Sequence, residues 1–141
     1  MAAAEDLSEQ AAVERLEQEV LEYYGKRDFA GALKLLDRLV VLQPDTPRWY
    51  EFRAAVRTDA KEFPGALRDY TVTLEMIFEG RGEGVEDRDF SRAVGRLLSG
   101  RALVYEGLSE WELALKDYDE ALRATKSGGF EEPDPFILNA R

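Results

Sequence analysis

The sequence predicts an all-α chain built from helix pairs repeated in tandem. Three observations lead there. First, a short motif recurs, in which an aromatic residue is followed by two spacers and then Ala-Leu. It reads Phe29 with Ala32-Leu33, Phe63 with Ala66-Leu67, and Trp111 with Ala114-Leu115. Second, the first two aromatics stand 34 residues apart and the third lies 48 further on, one more period plus 14 inserted residues. Third, the apolar residues around each motif keep helical spacing. A self-similar period of about 34 residues marks a helix–turn–helix unit stacked on its neighbours.

The elements follow in order. A first helix is expected over residues 8–25, with the small residue Val20 nine places before the first anchor and Tyr23 near its end. Its partner over 29–43 carries Ala32, Leu36 and Leu39, an i, i+4, i+7 stripe that gives one apolar face, and Pro44 ends it. The third helix, 47–61, opens at Thr46-Pro47, an N-cap residue before a proline at the first helical position. It carries Ala54 at the small position, and Arg57 where the other units have Tyr23 and Tyr105. The fourth, 64–78, begins at Pro64, where no intrahelical N–H is needed, and continues the stripe through Ala66, Tyr70 and Thr73.

Residues 79–88 then interrupt the array with three alternating glycines. Phosphate-binding loops follow a strand, and this segment follows a helix, lacks Lys-Ser/Thr and is acidic, so it reads as a connection. Its carboxylates Glu83, Glu86, Asp87 and Asp89 lack EF-hand spacing. The fifth helix, 89–106, carries Ala102 and Tyr105; the sixth, 110–125, carries Ala114, Tyr118 and Ala121. A second connection from Lys126 contains Gly128-Gly129, suited to a helix end, and Asp134-Pro135 repeats the cap of the third helix.

These anchors, small positions and caps resemble the tetratricopeptide repeat (TPR) family. The resemblance divides the chain into the start of the first helix at 1–12, units at 13–46 and 47–80, an insertion and extension of the next helix at 81–94, a third unit at 95–128 and a fourth begun at 135–141. It implies antiparallel helix pairs stacked in a right-handed superhelix, an α-solenoid. It also places Tyr23, Tyr105, Trp111 and Tyr118 on packing positions, and Ala66 and Ala114 where paired helices touch, almost fully buried. At 135–141 the residues Phe136, Ile137 and Leu138 are the reverse of a polar cap, so the array is expected to continue or to be covered by another chain.

Family members hold a peptide or a helix of another protein in the concave groove lined by the first helix of each pair, as adaptors, co-chaperones or assembly factors. The groove-facing places fall here on Glu14, Glu17, Leu21 and Tyr24, on Arg48, Glu51, Ala55 and Thr58, on Arg96, Ser99, Leu103 and Glu106, and on Phe136 and Asn139. The Lys and Asn clamp for acidic heat-shock tails is replaced by Glu17, Leu21, Glu51 and Ser99, with only Arg96 resembling part of it. The resemblance therefore implies a partner segment with apolar anchors and basic residues. Two alternatives stand beside it. An RNA-binding helical repeat needs basic, stacking positions once per unit, and Glu17, Glu51 and Ser99 are not basic. A self-assembly module would pair the array with its own copy through the exposed C-terminal end.

Composition narrows the chemistry. The 141 residues are 45% hydrophobic and 34% charged, enough for one domain with a real core. A net charge of −10 opposes unspecific binding to nucleic acid or to anionic lipid. With no cysteine and no histidine, thiolate and imidazole chemistry are excluded. Catalysis would need carboxylates, Lys, Ser or Tyr, and the Glu and Asp pairs fall at helix-surface spacing without a recognisable site, so a non-enzymatic role with no metal and no cofactor is expected. No apolar run approaches the roughly 20 residues of a membrane span, and Met1-Ala-Ala-Ala-Glu-Asp lacks the features of a secretory signal. The expected location is intracellular and soluble, the cytoplasm or an organelle interior reached after loss of a transit peptide.

Overall fold

The computed structural model describes residues 2–80 and 88–127, the side chains of 2–6 and 127 excepted. Among them run six helices: α1 (Ala2–Gly25), α2 (Phe29–Leu42), α3 (Pro47–Asp59), α4 (Phe63–Gly80), α5 (Arg88–Gly107) and α6 (Trp111–Ser127). All regular structure in the described residues is helical. Each helix packs on the next in the chain, so α1–α2, α3–α4 and α5–α6 form pairs, and α2–α3 and α4–α5 join the pairs into an array. The helices from α2 onward match the expected spans to within two residues at either end. α1 instead starts at Ala2 and not at residue 8, because Ala2-Ala3-Ala4-Glu5-Asp6 contains no helix breaker and alanine has the highest helix propensity. No helix among the described residues is long and apolar enough to cross a membrane.

The turn inside each pair has one geometry. Arg27, Lys61 and Ser109 adopt left-handed φ values of 58°, 62° and 60°. The following amide then bonds back to the first helix: Asp28 N–H donates to Tyr23 O at 2.9 Å, Glu62 N–H to Arg57 O at 2.8 Å and Glu110 N–H to Tyr105 O at 2.8 Å. This satisfies carbonyls at the helix end that have no partner within the helix. Glycine usually occupies such a place, and the three side chains here raise its conformational cost. In α2 the side chain of Asp28 adds a cap, its Oδ1 accepting from Gly31 N–H at 3.0 Å.

The core follows the repeated frame. Ala32, Ala66 and Ala114 are buried, as are Val20, Ala54 and Ala102 on the facing helices. The stripe residues Leu36, Tyr70 and Tyr118, with Leu39, Thr73 and Ala121, are buried too. Small residues there let the backbones approach, and larger ones would overpack. Between the second and third pairs, aromatic rings rest directly on glycine backbone. A Cβ placed on Gly100 would lie 2.7 Å from Cζ of Tyr70, and one on Gly107 would lie 2.5 Å from Cζ of Phe63.

Two packing expectations need correction. Tyr23 is 40% exposed and Trp111 is 62% exposed. The Tyr23 ring lies over Gly31 at the outside of its pair. Trp111 opens α6, the last described helix, and no following first helix among the described residues covers it. Phe63, its counterpart one pair earlier, is half-buried and packs on Gly107. Tyr118 is buried and Tyr105 packs against it and the alanines Ala102 and Ala114.

Charge also enters the core, in two of the three pairs. Arg53 donates through Nε and Nη2 to the two oxygens of Asp69 at 2.9 and 2.8 Å. Arg101 grips Asp117 in the same way at 2.7 and 2.9 Å. Both aspartates are buried. Asp69 takes a second cation, since Arg57 Nη1 donates to it at 2.8 Å. That explains the arginine at a position where the other pairs hold tyrosine.

Candidate functional site

The first helices of the three pairs, α1, α3 and α5, carry the groove candidates. Two ion pairs run between successive first helices. Arg48 of α3 reaches Glu17 of α1 at 2.7 Å. Arg96 of α5 donates through Nε and Nη2 to both oxygens of Glu51 on α3, at 2.7 and 3.0 Å. Both arginine side chains stay more than half exposed, at 65% and 55%, while Glu17 and Glu51 lie lower at 23% and 28%. The Arg48 guanidinium also lies over the Trp49 ring, 5.1 Å from its centroid. Phe52, Ala55, Arg48, Glu51 and Arg96 line a pocket of about 380 Å³ between α3 and α5. Its floor is apolar, and its rim carries two arginines and one glutamate, with Glu17 balancing Arg48 from outside the pocket.

The other candidates divide by what their polar atoms do. Tyr24 donates its hydroxyl to Asp59, and its ring meets Phe52 edge-on at 6.2 Å. That hydrogen bond, with burial second, pushes the Tyr24 phenol up from its ordinary pKa. Thr58 and Ser99 turn their hydroxyls onto their own helices, to Ala54 O at 2.7 Å and Gly95 O at 2.8 Å. Glu106 accepts the hydroxyl of Tyr118 at 3.1 Å. Burial, and then this bond, push the Tyr118 phenol up. Glu14 is exposed, with only a long 3.5 Å contact from the Gln10 amide. Leu21 and Leu103 stand exposed at 52% and 39%. Phe136 and Asn139 lie outside the described residues.

The structure therefore brings Arg48, Glu51, Ala55 and Arg96 together and ties Glu17 to them through Arg48. Sequence reasoning missed the pairing itself, and it missed Phe52 and Asp59. A signal for the pairing was present: Glu17 and Glu51 share one register, and Arg48 and Arg96 share another.

No family model and no curated protein matches the sequence. Solved structures do match the array just described. The N-terminal domain of stress-induced protein-1 (STI-1) from C. elegans superposes with a TM-score of 0.72 at 18% identity, over 93% of this chain and 92% of that one. The TPR2B domain of yeast Sti1, in its complex with pHsp70, gives 0.71 at 23% identity, over 91% of each chain. This is the TPR fold. The first TPR of Spaghetti (RPAP3), bound to the HSP90 peptide SRMEEVD, gives 0.67 at 18% identity, over 90% of this chain and 85% of that one. On this array Glu17 and Glu51 are each engaged by an arginine of the next pair.

Proposed function

We propose that this chain is a protein-interaction module, an adaptor of the co-chaperone or complex-assembly kind. It holds a segment of another protein along α1, α3 and α5. The observation that carries the reading is the pocket of about 380 Å³ floored by Phe52 and Ala55, set among first helices that also expose Leu21 and Leu103. Solvent-facing leucines beside an apolar pocket suit a helix-in-groove or extended peptide partner. That yeast Sti1 and RPAP3 domains of the same fold are described with pHsp70 and an HSP90 peptide supports the choice of a protein ligand.

The partner's apolar anchors sit on Phe52, Leu21 and Leu103, and its basic residues approach Glu14 and Glu106. An acidic tail would have to displace Glu17 and Glu51 from Arg48 and Arg96 first, so a tail like SRMEEVD is not the proposed ligand. Affinity capture with the chain as bait, comparing wild type with Leu21→Glu/Leu103→Glu, tests this. A specific partner should be captured by wild type and lost by the variant, whose helicity by circular dichroism is unchanged. Equal capture by both removes the groove from the reading. A second reading, self-association through the α6 end, is supported by Trp111 and Leu115, exposed at 62% and 46%. Light scattering that finds a monomer at high concentration rejects it.

A further inference from the structure

A second pocket lies away from the groove candidates, between α4, α5 and α6, with a volume of about 440 Å³. None of its lining residues is among those of the groove pocket. Its depth is apolar, formed by Leu74 of α4 and Leu98 of α5, both part of the core that joins the second and third pairs. One wall is Phe78, half exposed and held edge-on against Phe90 at 5.4 Å. Such a ring is a fixed surface that loses little side-chain freedom when a ligand covers it.

The rim is acidic on balance, with three carboxylates against one guanidinium. Glu75 and Glu79 come from α4 and Glu120 from α6. Arg101 also lines the pocket, but both oxygens of buried Asp117 hold its guanidinium. Among the described residues, no ion pair or hydrogen bond engages Glu75, Glu79 or Glu120. The contrast with the groove is direct, since there Glu17 and Glu51 are each neutralised by an arginine. An acidic rim alone would describe a solvated face. Here it encircles an apolar depth and a rigid exposed phenyl, and that combination selects a ligand.

We infer that the α4–α5–α6 pocket is a second docking site, for a protein segment that pairs an apolar anchor with lysine or arginine. The anchor enters between Leu74, Leu98 and Phe78. The cation meets Glu75, Glu79 and Glu120 and can lie over the Phe78 face. Opposite charge across the interface also speeds encounter and rejects acidic competitors. Nucleic acid and anionic membranes are repelled by the same rim. The site stands independently of the groove reading.

The test is a ¹⁵N NMR titration of the full chain with an amphipathic helical peptide of leucine and lysine. Two companion peptides carry glutamate for lysine, or serine for leucine. The leucine–lysine peptide should move the resonances of Leu74, Phe78 and Leu98. The glutamate peptide should not bind, and the serine peptide should bind at least about tenfold more weakly. Affinity should fall by about tenfold or more in Glu75→Lys/Glu79→Lys/Glu120→Lys and in Phe78→Ser. It should hold in the charge-matched control Glu9→Lys/Glu22→Lys/Glu112→Lys and in Leu21→Glu/Leu103→Glu, which disables the groove alone. The inference is overturned by absent binding, by shifts that map to the groove, or by equal losses in the control. It is also overturned if Arg81→Ser is needed before the peptide enters, because the chain's own 81–87 segment is then the occupant. A doubled mass in light scattering that the Glu75/Glu79/Glu120 variant abolishes makes a second copy the occupant instead.

Discussion

The first helix pair and the two that follow solve the same packing problem in different ways. In α1–α2 the buried side chains are apolar, with Val13, Val20, Leu35, Leu36 and Leu39 meeting Trp49 and Val56 of α3. In α3–α4 and α5–α6 the frame is the same, but a buried aspartate takes a bidentate arginine from the facing helix. The corresponding places in α1–α2 hold Glu19 and Leu35. An apolar contact says only that two surfaces should meet, whereas a fork of two hydrogen bonds fixes how far one helix slides along the other. The second and third pairs are thus held in register by charge and the first by shape, in line with the attested use of buried polar groups to set registry.

Breaking one partner should have the largest effect. Asp69→Ala leaves Arg53 and Arg57 without their shared anion, and a loss of about 3–5 kcal/mol is expected in urea unfolding. A loss below about 1 kcal/mol would mean that water and Asp37, which Arg53 Nη1 also reaches at 3.0 Å, compensate these arginines. Replacing both partners should behave differently. Arg101→Met with Asp117→Leu, which copies Leu35 of the first pair, should leave stability unchanged or raise it by about 1–2 kcal/mol. A strongly destabilised double variant would show that the fork contributes net stability as well as register. The smallest effect belongs to the turn shared by all three pairs. Ser109→Gly relieves a left-handed residue and should raise stability by less than about 1 kcal/mol, its entropic cost in the unfolded chain offsetting part of the gain. A lowered melting temperature would show that the Ser109 side chain has a role that the backbone geometry does not reveal.

The array was legible because its determinants repeat. Phe29, Phe63 and Trp111 fix the register, and the alanines below them are buried as that register requires. The exposed Trp111 was not legible, because burial at that place depends on the helix that comes next and not on the residue itself. Nor were the left-handed turns, since Arg27, Lys61 and Ser109 carry no glycine signal and the conformation is imposed by the pairing of the helices. For the groove, residue types could be read but not their partners. Glu17 and Glu51 looked like free carboxylates, and only the approach of α3 to α1 and of α5 to α3 shows each one neutralised by an arginine distant in sequence.

The bare backbone at Gly100 has a consequence beyond packing. The Tyr70 ring rests on it with no room for a methyl group. Any side chain there would act as a shim. It would have to displace a ring that belongs to the buried core of the second and third pairs, or push the two pairs apart. Arg96 and Glu51 reach across the same joint, so the span of their ion pair follows its thickness.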